Sequence, residues 1–151
     1  MGLMEILIIM MKQLNINGFI VNVNVERTKK LYDALPLISD KEHCGCDDCT
    51  NYTKATDHFS SSVKQFFEQF GIDPRKEAEV SNACSEDGMN HYLVDYHFIG
   101  EIEDVKELDW INVDGVLFGL TNYDGQLPSP MIPNTFSKPI IELIVQIDLQ
   151  L

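Results

Sequence analysis

Two long segments alternate apolar and polar residues, and this pattern constrains the fold more than any other feature of the chain. In HYLVDYHFIGEI (91–102), one parity carries Tyr92, Val94, Tyr96, Phe98 and Ile102. In KPIIELIVQIDLQL (138–151), one parity carries Ile141, Leu143, Val145, Ile147, Leu149 and Leu151. A period of two predicts strands with one buried face, so the chain is built around a sheet.

Shorter patterns add a hairpin and a helix. In KQLNINGFIVNVNV (12–25) the alternation changes phase at Asn17-Gly18, which predicts a hairpin with a type I′ turn, or alternatively a bulge at Gly18. The spacing of the apolar residues predicts a helix over about 59–70, with Asp57 as its N-cap and Gly71 just past its end. The helical stripe consists of Phe59, Val63, Phe66, Phe67 and Phe70.

The remaining segments complete an α+β prediction. Residues 27–38 fit a short helix or a strand, 114–122 predict a strand, and the proline-rich stretch 125–136 predicts a loop. We therefore predict a mostly antiparallel sheet with one or two helices packed on one face. A chain of 151 residues fits a single domain spanning 1–151. The apolar residues 1–10 are interpreted as a buried strand or as an N-terminal extension ahead of a true start at Met11.

The charge of the chain is strongly negative and unevenly distributed. The formal net charge is −13, and residues 86–151 contribute −10 because their only bases are Lys106 and Lys138. This repels a phosphate backbone and disfavours nucleic-acid binding, whereas it suits solubility or a basic protein partner. The apolar N-terminal run is too short to span a bilayer and lacks a basic flank, so we expect no membrane segment and a cytoplasmic location.

The stretch EHCGCDDCTNY (42–52) holds three of the four cysteines and suggests a metal site. Cys44, Cys46 and Cys49 could supply three thiolates to a structural Zn²⁺ ion, with Gly45 allowing the tight turn between them. A second C-x-x-C or H-x₃₋₅-H pair, typical of zinc motifs, is missing from the sequence. The fourth ligand would come from elsewhere, and the candidates are Cys84, His43, His58, His91 or an aspartate.

Two other interpretations of the cysteines remain open. Cys46 and Cys49 have C-x-x-C spacing at the predicted start of a helix, where thiol redox chemistry is favoured, although Asp47 and Asp48 oppose a thiolate. Reduced cysteines can also serve as small buried apolar residues.

His97 is a weaker candidate for function. It shares a strand face with Asp95 and Glu101, which is compatible with acid/base chemistry, but also with a histidine whose hydrogen bonds serve the fold. Nucleotide-binding, zincin and serine-hydrolase motifs do not occur in the sequence.

Three segments together resemble a family of small, uncharacterised bacterial proteins. They are CGCDDCTNYTKA (44–55), FFEQFGIDPRKEAEV (66–80) and YHFIGEI (96–102), which resemble a CGCxxCxN segment, a helix end GIDPxK and a (W/Y)HF(V/I)G strand. The matching positions are Cys44, Cys46, Cys49, Asn51, Gly71, Asp73, Pro74, His97 and Gly100. The stretches around 81–88 and 91–95 depart from the pattern. The resemblance implies an intracellular bacterial protein and brings no established activity.

These observations lead to two functional hypotheses. The first is a non-enzymatic protein with a structural metal or thiol site at Cys44–Cys49 that binds a basic protein, as immunity or inhibitor proteins do. The alternative is a thiol-dependent or metal-dependent enzyme that uses the same cysteine turn.

Overall fold

The computed structural model describes residues 11–41, 46–84, 88–103, 110–123, 136 and 138–150. It confirms the α+β prediction, with a seven-stranded antiparallel sheet and three helices within the described residues. The strands are β1 (Lys12–Ile16), β2 (Phe19–Val23), β3 (Glu79–Cys84), β4 (Met89–Ile102), β5 (Ile111–Val113), β6 (Val116–Asn122) and β7 (Ile140–Gln150). The helices are α1 (Val25–Asp33), α2 (Asp47–Thr56) and α3 (Ser61–Glu68).

Strand β4 organises the sheet. One of its edges pairs with β7 from Met89↔Gln150 to Ile99↔Ile140, and β7 in turn pairs with β6. Its other edge is divided, because β3 pairs with residues 90–95 and β2 with residues 100–102. The order is β1-β2-β4-β7-β6-β5, with β3 beside β4.

The hairpin prediction is confirmed. Strands β1 and β2 pair through Ile16↔Phe19, and the two residues between them have φ values of 50° (Asn17) and 87° (Gly18). Two consecutive positive φ values define a type I′ turn, whose twist matches that of the flanking strands.

One face of the sheet, which we call the covered face, packs against α2 and α3. Phe66 stacks on Phe118 of β6 with ring centroids 4.1 Å apart, and Phe67 meets Tyr96 of β4 edge-on at 5.1 Å. The predicted apolar residues of β4 and the first half of β7 point to this face and are buried. Aromatic contacts of this kind contribute beyond their buried area, so this layer forms the core.

The predicted end of the aromatic helix is confirmed, but its predicted N-cap is wrong. Gly71 has φ 83°, and the Ile72 N–H donates to the Phe67 carbonyl. The N-cap is Ser60, whose hydroxyl accepts from the Val63 N–H at 3.2 Å. Asp57 instead follows Thr56, the last residue of α2, and is the C-cap of that helix.

For several segments the secondary structure predicted from the sequence was ambiguous or incomplete. The segment 27–38 contains most of α1 and no described strand, whereas β3 and β5 were not predicted. The predictions for residues 1–10 and for the loop 125–135 lie outside the described residues.

Candidate functional site

The cysteine turn leads directly into α2. Cys46 is the N-cap of this helix, and its sulfur accepts from the Cys49 backbone N–H at 3.4 Å. The Cys46 thiol also donates to the Cys49 sulfur, and the two Sγ atoms are 3.1 Å apart. Cys46 is exposed, whereas Cys49 is 3% exposed and belongs to the core. The structure therefore brings two of the predicted ligands into contact and gives them different solvent access.

The structure does not test whether the other predicted ligands complete a zinc site. His43 and Cys44 lie outside the described residues, and the side chain of Cys84 is not described. His91 contacts Asp148 of β7 through Nδ1 at 2.5 Å. Among the described residues, no cluster of three or more His, Cys, Asp or Glu side chains is suited to hold a metal ion. The zinc site stays a prediction.

Two polar contacts fix α2 to the sheet. The buried hydroxyls of Tyr52 and Tyr96 are 2.5 Å apart, and Tyr96 donates in turn to the Pro74 carbonyl at 2.6 Å. Burial raises the pKa of Tyr52, so this phenol stays protonated. Near the cysteines, Asn82 of β3 donates to the Asp48 carboxylate at 3.1 Å. The first turn of α2 is thereby held against β3.

A second polar cluster fills a gap in the sheet. Between the β3 and β2 ladders, His97 and Ile99 of β4 meet no described strand on that edge. The Glu77 carboxylate accepts from the His97 backbone N–H at 2.9 Å, and the Tyr32 hydroxyl lies 2.6 Å from the His97 carbonyl. The Ile99 N–H donates to the Thr28 hydroxyl, and the Ile99 carbonyl accepts from the Asn24 N–H. Side chains and one backbone amide thus replace a strand at every hydrogen-bonding group of the gap.

Within this cluster, the side chains of Glu77 and His97 are buried and lie at ion-pair distance. Oε1 of Glu77 is 2.9 Å from Nδ1 of His97, and neither side chain is more than 4% exposed. Burial raises the pKa of Glu77, outweighing the hydrogen bond and charge of His97. Burial alone would lower the pKa of His97, but the hydrogen bond and charge of Glu77 outweigh it and raise this pKa. Both shifts favour retention of a proton by the pair.

This arrangement bears on the predicted acid/base role of His97. The imidazole is buried, bonded to Glu77 and edge-on to the Tyr123 ring at 6.0 Å. Glu101 lies further along β4, opposite Asn22 of β2. The geometry therefore supports a role for His97 in the fold. Glu77 was missed because a charged residue at φ 65°, outside any regular element, gives no periodic signal.

The sheet face opposite the helices, which we call the open face, is mixed in character. It is formed by alternate residues of β3, β4, β7 and β6, together with Trp110. Leu93 and Trp110 are 42% and 46% exposed. Two large apolar side chains are therefore exposed on the same face of the sheet.

Acidic residues crowd the middle of the open face. Glu79 of β3 lies directly opposite Asp95 of β4, and Glu142 of β7 lies opposite the neighbouring His97. Burial, followed by repulsion from Glu142 and Glu79, raises the pKa of Asp95 to about 6. Its Oδ1 atom is buried and has no hydrogen-bond partner in the described structure.

Trp110 reaches this face because residue 119 is glycine. In the register, Gly119 of β6 lies beside Ile144, which lies beside Asp95. A Cβ atom at Gly119 would come within 3.0 Å of Cζ3 of Trp110. The indole therefore lies against the Gly119 backbone, one strand away from Ile144 and Glu142 and two strands away from Asp95.

Comparisons with known proteins provide no assignment. No protein-family model, no curated protein and no solved structure matches the chain. The resemblance to the uncharacterised bacterial family stays a prediction. The helices of the described segments contain at most ten residues, and none has the length and apolar character needed to cross a membrane.

Proposed function

We propose that this protein binds a basic protein partner through the open face. The observation that carries the proposal is the position of Asp95, which lies directly opposite Glu79 and next to Glu142. Like charges opposite each other on neighbouring strands destabilise a sheet. A lysine or arginine side chain placed among these carboxylates would relieve the repulsion, so the free protein is prepared for a cation.

The exposed apolar side chains supply the other part of an interface. Interfaces combine apolar and aromatic anchors with polar groups around them, and Leu93 and Trp110 lie on the same face as the carboxylates. The exposed indole could also contact a guanidinium or ammonium group over its ring. The face therefore suits a basic segment that also presents apolar residues.

The charge of the whole chain supports the same partner. A net charge of −13 attracts a basic protein over several ångströms and accelerates its association at low ionic strength. This long-range effect does not distinguish one surface from another. Specificity has to come from the open face, which is where an experiment can test it.

We would test the proposal with a synthetic peptide that alternates lysine and leucine, and with its glutamate-for-lysine counterpart. The isotope-labelled protein is titrated with each peptide while backbone amide and indole NMR signals are recorded. We expect the lysine peptide alone to shift signals of Trp110, Asp95 and their neighbours on the open face. Added salt should weaken this binding.

Matched charge variants separate specific from general attraction. We expect Asp95→Asn and Glu142→Gln each to weaken binding of the lysine peptide about fivefold, which corresponds to about 1 kcal/mol. Glu26→Gln removes the same charge at an exposed position of α1, which contributes no residue to the open face, and should change binding less than twofold. Equal weakening by all three variants, or signal shifts that avoid the open face, would overturn the proposal.

A further inference from the structure

We infer that a pocket at one end of the covered face binds a single-chain fatty acid, a function separate from the open face. The pocket has a volume of about 500 Å³, which is in the range of ligand sites in proteins. It lies between the end of α2, the start of α3, the β5–β6 turn and the end of β7. Its apolar lining consists of Ala55, Phe59, Val63, Val116, Ile147 and Leu149.

The position of the pocket follows from the pairing of β7. Strand β6 pairs with β7 only as far as Gln146, so Ile147 and Leu149 have no described strand beside them on that edge. Val145 and the earlier covered-face residues of β7 are buried, whereas Ile147 and Leu149 on the same face are only partly buried. An apolar ligand chain against these two side chains would remove their remaining surface from water, which favours binding.

The lining changes in polarity from its floor to its mouth. Every buried side chain of the lining is apolar, as Phe59 and Val63 are. Every exposed side chain of the lining is polar, and these side chains are Lys54, His58, Ser60 and Asp114. A ligand that matches this arrangement has an apolar body and one polar end, which lies at the mouth.

The charges at the mouth favour a carboxylate as that polar end. Lys54 carries a positive charge, and the His58 ring has an N–H that can donate to an oxygen. Within the described part of the chain, neither side chain has a hydrogen bond or an ion pair. The acid in the described lining, Asp114, accepts from the Ser60 hydroxyl at 2.5 Å and forms no ion pair with Lys54. An anionic end can therefore reach both donors.

The volume favours a fatty acid of medium length. At roughly 30 Å³ for each heavy atom, the share of one molecule in liquid water, the twelve heavy atoms of decanoate need about 360 Å³. This is less than the pocket volume and leaves room for the carboxylate to adjust at the mouth.

The probe for this inference is sodium decanoate, titrated below its micelle concentration into the isotope-labelled full-length protein. We expect it to shift the methyl NMR signals of Val63, Val116 and Ile147 and to leave the indole signal of Trp110 unchanged. The matched ligands are 1-decanol and decylammonium, which have the same chain. Decanol should bind about fivefold more weakly and decylammonium more weakly still, because neither has a negative end to meet Lys54.

Variants at the mouth separate the charge from the apolar contact. Lys54→Gln should weaken decanoate about fivefold and leave decanol within about twofold. Lys64→Gln removes the same charge from exposed α3 outside the pocket, and it should leave both ligands within about twofold. Asp114→Asn should strengthen decanoate about twofold, and asparagine suits the φ of 50° at this turn position.

A variant of the lining tests the pocket itself. Ala55→Leu fills part of the volume with a residue that favours helix, so it should weaken decanoate and decanol alike by about tenfold or more.

Four outcomes would overturn the inference. They are equal weakening of decanoate by Lys54→Gln and Lys64→Gln, equal affinity for decanoate and decanol, signal shifts that avoid the pocket lining, and unchanged binding in Ala55→Leu. Tighter binding of an apolar peptide with a free C-terminal carboxylate than of decanoate would also overturn it, in favour of a protein chain end as the ligand. Lys54 and Lys64 are both exposed, so the comparison between them does not depend on a core substitution.

Discussion

The two faces of the sheet differ in what their side chains do. On the covered face, Phe67, Tyr96 and Phe118 are fully buried, and the Phe67 ring contacts the other two rings. On the open face, Asp95 lies among other carboxylates, and Trp110 is half-exposed. The packed rings of the covered face stabilise the fold. The open face carries repelling carboxylates and exposed apolar side chains, both of which lower the stability of the folded state. The open face is therefore the side of the sheet on which we expect a binding function.

The largest expected effect is the difference in unfolding free energy between one side-chain truncation on the covered face and one on the open face. Phe67→Ala should lower the free energy of unfolding by about 3–5 kcal/mol, because it leaves a cavity among packed rings. Leu93→Ala on the open face should change it by less than about 0.5 kcal/mol. Urea denaturation at neutral pH measures both. A comparable loss from Leu93→Ala would show that the open face is packed within the folded chain, and the distinction between the faces would fail.

A somewhat smaller effect is expected at the gap in the β4 edge. Glu77→Ala removes the acceptor of the His97 N–H and the partner of the imidazole, and should cost about 3 kcal/mol. Glu77→Gln retains one carbonyl oxygen and should cost less. Thermal unfolding ranks the variants, and amide exchange at His97 reports on the gap itself. A cost below about 1 kcal/mol for Glu77→Ala would mean that water replaces the carboxylate.

The smallest effect is a gain in stability at Asp95. Its pKa is raised from 3.8 to about 6, so the folded protein holds a proton that the unfolded chain has released. Stability is therefore lost as the pH rises from about 4 to 6 and stays reduced above that range. Asp95→Asn should stabilise the protein by about 1 kcal/mol at pH 7.5, since partial exposure screens the repulsion, and by nearly nothing at pH 3.

The control for this prediction is Glu26→Gln, which also removes one negative charge but at an exposed position of α1. Unfolding free energies at both pH values should then show a gain specific to Asp95. A gain of equal size in the control would attribute the effect to the total charge of −13 rather than to the open face.

The covered face could be predicted from the sequence because its signals are periodic. The alternation in β4 and β7 and the phenylalanine stripe of α3 arise from burial on one side, and the Asn17-Gly18 turn has its own local chemistry. Strand β3, with the sequence EVSNAC, shows no clear alternation, because the polar Asn82 shares the parity of the covered face and Ala83 that of the open face.

The candidate sites were only partly predictable, for a different reason. The cysteines are conspicuous by their spacing, and one interpretation placed them at the opening of a helix; the structure begins α2 at Asp47, just after Cys46. The neighbours of Asp95 and the partners of His97 come from residues 16 to 65 positions away in sequence, so only strand register and packing reveal them. The position of the Trp110 ring requires a glycine at 119, because a Cβ atom there would collide with the ring. The sequence around either residue gives no sign of this contact.

The sealed gap in β4 also bears on self-association. A strand edge with unsatisfied amides and carbonyls is a template on which another polypeptide can add a strand, and unprotected edges lead to aggregation. Tyr32, Thr28 and Glu77 occupy the hydrogen-bonding positions at His97 and Ile99 where such a strand would add. These side chains, two of which come from α1, therefore block the unpaired edge of β4. A strand from another chain cannot add to β4 at His97 and Ile99 while they are in place.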